Sequence, residues 1–360
     1  MSSAQGRKAL RSLRFRIEST NGTRVTPRFV YRGTGNIEDQ RTQENPEEQI
    51  GIFGGGDRTY QPAMLGGLAL DEIDATFEQL SDFFLMAGMG TMAAYPTQGS
   101  AQGASGSTGV FALIIPSDTA PPTYSYTVEG GENAVEAEYM PYVLAKKLSL
   151  KGAGGEAVKF SAELMGQYVA PTNALGTFSA VGTVPSVETI LAAGSWWLTP
   201  AGSGFGTGQV TPGNILAFEL DFEPAWKEKY SVDSGTTYYG TVVYTDLAIT
   251  GKLTMEFQRS GTYGVAGSAG QMAKWRNQDT QLLRMQFPGG AITAGTTFTN
   301  KLLQIDIPIK FSKVGPLGDM EGNSIREVEF FSKYTETTLS AGRGTIILVR
   351  RGTSEFAGAN

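Results

Sequence analysis

Apolar residues recur at every second position along much of this chain, a period that suits β-strands and little else. Leu13, Phe15 and Ile17 alternate with Arg14, Arg16 and Glu18; Val158, Phe160, Ala162 and Leu164 alternate with polar residues farther on, as do Leu253, Met255 and Phe257. Successive side chains of a strand point to opposite faces, so each run offers one face to a core and one to water. Shorter runs of strand character lie at residues 28–32, 65–69, 111–115, 124–129, 138–142, 146–150, 215–222, 239–244, 302–311, 326–334 and 344–350. The 47 glycines among 360 residues supply the turns such a chain needs.

Two segments break the pattern toward helix. Residues 74–87 place Phe77, Leu80, Phe84 and Met86 near a helical spacing, with Asp74 as the expected N-cap, Glu78 in the first turns and Gly88 or Gly90 as the stop. A second helix is expected over about 268–285, on Met272, Trp275, Leu282 and Leu283. Residues 38–62 are polar, mostly acidic and then glycine-rich, and read as a long exposed loop or hairpin arm. Residues 98–109 read as a Gly/Ser/Ala loop.

Several chemistries fall away at once. The chain has no cysteine and no histidine, so it has no disulfide, no thiolate nucleophile, no Ser-His-Asp or Cys-His arrangement and no Cys- or His-based zinc site. Carboxylate or lysine chemistry stays open. With 40 % hydrophobic and 18 % charged residues and a net charge of −6, the chain belongs with globular proteins. No apolar stretch has the roughly 20 residues of a membrane helix, and residues 1–8 lack the apolar core of a signal peptide. Synthesis in a cytoplasm, without membrane insertion, is expected.

The remaining motifs favour structure over chemistry. The glycine runs 51–56 and 202–208 lack the phosphate-loop pattern. Asp71, Glu72 and Asp74 suggest helix capping more cheaply than a carboxylate pair or metal site. Trp196 and Trp197 suit a packed connector better than a sugar platform. Asn21-Gly22-Thr23 fits a glycosylation acceptor without a secretory signal. No catalytic, cofactor-binding or metal-binding residue is assigned. Charge is segregated instead: Arg11, Arg14 and Arg16 lie in a basic stretch running from Arg7 to Arg32, and Glu38, Asp39, Glu44, Glu47 and Glu48 make the next segment acidic. These suit solvated surfaces, or an acidic arm of one copy meeting the basic surface of the next as copies stack. No nucleic-acid-binding signature accompanies the basic run.

The same order of signals occurs twice: strands, a G-x-L strand (Gly67-Leu68-Ala69-Leu70 and Gly251-Lys252-Leu253-Thr254), a helix, a glycine stop (Gly88/Gly90 and Gly289-Gly290), and further strands. A first fold over 1–170, a connector over 171–213 and a second fold over 214–360 are expected. The strand ending Glu18-Ser19-Thr20-Asn21-Gly22-Thr23, the arm before Gly66-Gly67-Leu68-Ala69-Leu70, the helix at 77–87, and residues 139–142 leading into Lys146, Leu148, Leu150 and 158–166 together resemble the major tail tube proteins of long-tailed, siphovirus-like bacteriophages. The resemblance implies a mainly β chain with two tube-like β-sandwich or partial-barrel folds, each flanked by one helix. It also implies a structural virion protein, located in the tail, that polymerises as stacked rings into a conduit for DNA delivery. Its expected partners are itself, in homotrimer rings of pseudo-hexameric symmetry or else hexamers, the tape-measure, terminator and tip proteins, and DNA sliding through the lumen without specific binding. Another virion part (terminator, baseplate or decoration protein) and a glycan-binding β-sandwich are the alternative readings.

Overall fold

In a computed structural model, the structure describes residues 11–48, 58–89, 108–115, 121–132, 136–172, 178, 184, 186–201, 204–206, 215–232, 235–256, 271–292, 298–320, 322–333 and 344–351. The chain opens with β1 (Arg11–Ile17), β2 (Phe29–Val30), β3 (Gly35–Asp39), β4 (Thr42–Glu44), β5 (Tyr60–Ala63) and β6 (Gly66–Asp74), then α1 (Phe77–Met86). β7 (Thr108–Ile114), β8 (Tyr126–Glu132), β9 (Glu136–Ala153), β10 (Lys159–Gly166) and β11 (Ala170–Pro171) follow. Next come β12 (Ser195–Pro200), β13 (Ile215–Lys229), β14 (Thr241–Glu256), α2 (Gln271–Asn277), β15 (Gln281–Ala291), β16 (Asn300–Met320), β17 (Asn323–Ser332) and β18 (Thr345–Arg351). The mainly β class expected from the alternation is what the chain adopts.

Antiparallel pairing sets the plan. Neighbouring strands run β12, β15, β16, β17, β14, β13, β9, β10, β6, β3, and β1 joins through β8 to β9. Taken from each end, the neighbours read β1, β8, β9, β10, β6, β3 and β12, β15, β16, β17, β14, β13. Both series also rise through the chain in the same order, with α1 after β6 and α2 after β14. The long strands β9 and β16 each pair first with one neighbour, β8 or β15, and then with another, β10 or β17. The two series meet where β9 pairs with β13, Leu150 opposite Leu220.

Period two explains the packing. In β10, Phe160, Ala162 and Leu164 are buried; in β13, Phe218, Leu220 and Phe222 are. One core cluster takes in residues of both series and of α1. Within it Trp196 packs edge-on against Phe218 and Phe287 at ring distances of 5.2 and 5.8 Å. Side chains of this size contribute roughly 1.5–3 kcal/mol each on burial. The tryptophans expected in a connector therefore lie on a strand, with Trp196 holding β12 on the core.

Three expectations are corrected. The first helix starts at Phe77, with Thr76 at the N-cap position, because β6 continues through Asp74 opposite Lys159. It is buried along its whole length, against β9, β16, β18 and β7. Its stop is the glycine expected: Gly88, at φ +72, donates its N–H to Leu85 while Met89 N–H reaches Phe84 O, closing a Schellman turn. The second helix spans only Gln271–Asn277 among the described residues, and 281–291 is a strand. There Leu283, Met285 and Phe287 are buried and Arg284 and Gln286 half-buried, a period of two that the adjacent Leu282 hides. Gly289 and Gly290 consequently lie inside β15 and stop no helix. The glycine run 51–56 lies outside the described residues.

Candidate assembly site

The outward face of the sheet built from β6, β10, β9, β13, β14 and β17 is ionic. Four of its lysines meet carboxylates: Lys147 meets Asp221 and Glu223 at 3.1 and 3.0 Å, Lys151 meets Glu72 at 3.4 Å, Lys159 meets Asp74 at 2.6 Å, and Lys252 meets Glu327 at 2.8 Å. Glu219, opposite both Lys151 and Lys252, and Glu163, opposite Lys147, add carboxylates to the same face. Half-exposed pairs of this kind contribute about 0–1 kcal/mol each. Their larger effect is on the surface, where these four lysines are neutralised and carboxylates are in excess, while Lys227 and Lys229 at the end of β13 stand exposed. Glu72 and Asp74 thus face lysines across the sheet and do not cap α1.

The sequence-predicted contact residues are scattered. Glu38 and Asp39 belong to β3, where sequence suggested the start of a loop. Asp39 Oδ2 accepts from Arg41 Nε at 2.6 Å, and Glu38 accepts from Gln40. Glu44 is exposed in β4, which pairs with β5 as a separate two-stranded sheet; Glu47 is exposed, and Glu48 pairs with Arg58 at 2.9 Å. On β1, Arg11 is exposed and Arg16 donates to Thr26 O at 3.3 Å. Arg14 is buried, its guanidinium 3.7 Å from the centre of the Phe178 ring. Burial lowers its pKa while the Glu129 carboxylate pulls it back up. The structure brings Arg11 beside β3, in a groove of about 540 Å³ lined also by Leu13, Gly35, Ile37, Gly130 and Glu132.

Two buried carboxylates that sequence reasoning did not single out as sites hold the frame. Glu18 accepts from Gly22 N–H at 2.7 Å, Ser125 Oγ at 2.5 Å, Thr127 Oγ1 at 2.8 Å and Tyr142 N–H at 2.9 Å. Tyr142, at φ +53, sits where β9 leaves β8 for β10, so Glu18 clamps that bend. The only sequence clue is a lone carboxylate just before an Asn-Gly turn. The second, Glu78 of α1, binds Lys301 of β16 at 2.5 Å and Glu188 N–H at 2.8 Å. Glu188 in turn meets Lys301 at 2.8 Å and Gly290 N–H at 2.5 Å, tying α1 to β15 and β16.

That cluster carries a pH dependence. Burial opposes the charge on Lys301, but hydrogen bonds to Glu188 and Glu78 outweigh it and hold the pKa above its ordinary 10.5. Burial likewise opposes charge on Glu188, and Lys301 and Gly290 N–H outweigh it, holding the carboxyl below 4.5. The unfolded chain therefore takes up the Glu188 proton first on acidification. Its contribution is present above pH 4.5 and lost as pH falls through the depressed value. The Lys301 contribution is full below pH 10.5 and lost as pH rises through the raised one. Urea midpoints measured between pH 6 and 3 are expected to fall more steeply for the wild type than for Lys301→Met.

A mainly antiparallel β chain with an ionic sheet face, a separate two-stranded arm and buried charges spent on holding strands together is a structural, assembly-type protein. The family model described as phage tail tube protein matches residues 8–340, and the chain belongs to that family. It is thus a tail component of the virion, in a family that builds a tube by self-assembly and contacts other tail proteins. No curated protein matches the chain. No helix among the described residues is long and apolar enough to cross a membrane.

Proposed function

We propose that this chain carries two equivalent tube folds and polymerises as stacked rings into the tail tube through which DNA enters the host. The observation that carries the reading is the twice-repeated pairing order, down to one bulge. In β9, the three-residue step from Ala145 to Leu148 lies opposite the two-residue step from Leu164 to Ala162. In β16, the step from Val314 to Leu317 lies opposite that from Val328 to Arg326. One bulge thus falls at matching places in the two ladders, as duplication would leave it, while those at Phe311/Lys313 and Phe160/Ala162 have no counterpart.

Two folds joined edge to edge in one chain favour three chains per ring, with sixfold pseudo-symmetry. The ionic sheet face is the wall offered to DNA: carboxylates outnumber lysines there and four of the lysines are already paired, so phosphate is repelled and DNA slides without being held. The arm, with Glu44, Glu47 and Glu48, reaches the basic surface of the next ring, where Arg11 and Arg16 are available and buried Arg14 supports the strand. Assembly occurs in the host cytoplasm, with the tape measure inside and terminator and tip proteins at the ends. Negative-stain microscopy of concentrated protein is expected to reveal rings and tubes; monomers under all assembly conditions would overturn the reading.

A further inference from the structure

We propose that the first turn of α1 holds a structural water, shared by the hydroxyl of Tyr31 and the side-chain amide of Gln79. Both residues are buried, at 3 % exposure each. Both line one cavity of about 10 Å³, together with Thr76, Phe83 and Phe160. That is room for a single water and for nothing larger. Neither Tyr31 Oη nor Gln79 Nε2 meets a hydrogen-bond partner among the described residues. A buried polar group without a partner is costly, and native proteins seldom leave one so. Two such groups on one cavity point to a shared ligand that both donates and accepts.

Packing fixes where both groups lie. Tyr31 follows β2 and donates its N–H to Leu13 O at 2.8 Å. Its ring stands edge-on to Phe15 and Phe83, at 5.8 and 5.6 Å, so apolar contacts hold the hydroxyl in place. Burial, with the Asp71 carboxylate, keeps the phenol above its ordinary 10, and the hydroxyl retains its proton at neutral pH. Gln79 lies in the first turn of α1. Thr76, at the N-cap position, makes no capping bond to the backbone; its hydroxyl donates to Gln79 Oε1 at 3.4 Å. This occupies one end of the amide and leaves the other. Turning the amide over exchanges oxygen for nitrogen and still leaves one end unpaired.

Water suits both groups. Its oxygen accepts from the Tyr31 hydroxyl and the Gln79 amide together. Its protons are then left for acceptors, and the Thr76 hydroxyl keeps its lone pairs after donating to Gln79. Three partners are the usual number for a buried water. An apolar occupant would leave both groups unpaired. Filled in this way, the site joins the segment between β2 and β3 to the turn where β6 gives way to α1.

The test reads both stability and electron density. Tyr31→Phe keeps the ring contacts and Gln79→Met keeps the length of the side chain, and each removes one partner of the water. Each is expected to lower the urea midpoint. The double variant is expected to lower it by less than the two single shifts added, because both groups act through one water. In a dry cavity each substitution would remove only an unpaired polar group, and the midpoint would stay or rise. A crystal structure of the wild-type subunit is expected to carry a water peak within hydrogen-bond distance of both Tyr31 Oη and the Gln79 amide, a result that does not depend on the folding of any variant. An empty cavity, a direct hydrogen bond between Tyr31 and Gln79, additive shifts, or midpoints that stay or rise would each overturn the site.

Discussion

Replacing residues 42–63 by a short Gly-Ser link is expected to leave folded subunits that form rings but no tubes. The segment carries β4 and β5, a two-stranded sheet apart from the main one. Its ends are already adjacent, since Gln40 N–H bonds to Leu65 O at 2.8 Å, so the shortened connection closes without disturbing β3 or β6. A cut starting at residue 38, which sequence alone suggested, would remove Glu38 and Asp39 from their ladder with β6 and confuse stacking with folding. Among the described residues none of the buried apolar core lies in the segment, so the denaturation midpoint should move by no more than about 0.5 kcal/mol in free-energy terms. Micrographs should change from tubes to single rings. Tubes of normal length would show that the arm does not join rings.

The largest stability loss is expected from Glu18→Ala. It leaves Gly22 N–H, Tyr142 N–H and the hydroxyls of Ser125 and Thr127 without their common acceptor in a place where Glu18 itself is 7 % exposed. Breaking a buried charged network of this kind costs about 3–5 kcal/mol. It also releases the support of Tyr142 at φ +53, a backbone conformation costing about 1–3 kcal/mol. Glu18→Gln keeps one acceptor oxygen and is expected to lose about 1–3 kcal/mol. Urea denaturation of both variants checks the order, and equal, small losses would contradict the clamp.

Much of the strand inventory was legible because it depends only on alternation. Lengths were not. Residues 138–142 and 146–150 read as two strands but are one, β9, since Pro141 and the bulge near Lys147 interrupt the pattern without ending the ladder. The second helix was overextended because Leu282 beside Leu283 mimics helical spacing, whereas both faces of that stretch of β15 are buried. The order of elements suggested a repeated plan, and the sequence does not show that β3 and β13 stand at the last places of two similarly ordered strand series. Arg14 read as a surface charge because β1 alternates. Its burial comes from Phe178, which lies far away in a Gly/Pro-rich segment and carries no local signal. Glu18 was visible as a residue but not as a clamp, since three of its four donors are more than a hundred residues away.

The central claim is that each chain places two equivalent folds in one ring. End-on class averages of wild-type rings, combined with the native mass of the ring, test it most directly. Six similar lobes built by three chains are the predicted result. Six chains per ring, or three lobes from three chains, would contradict it.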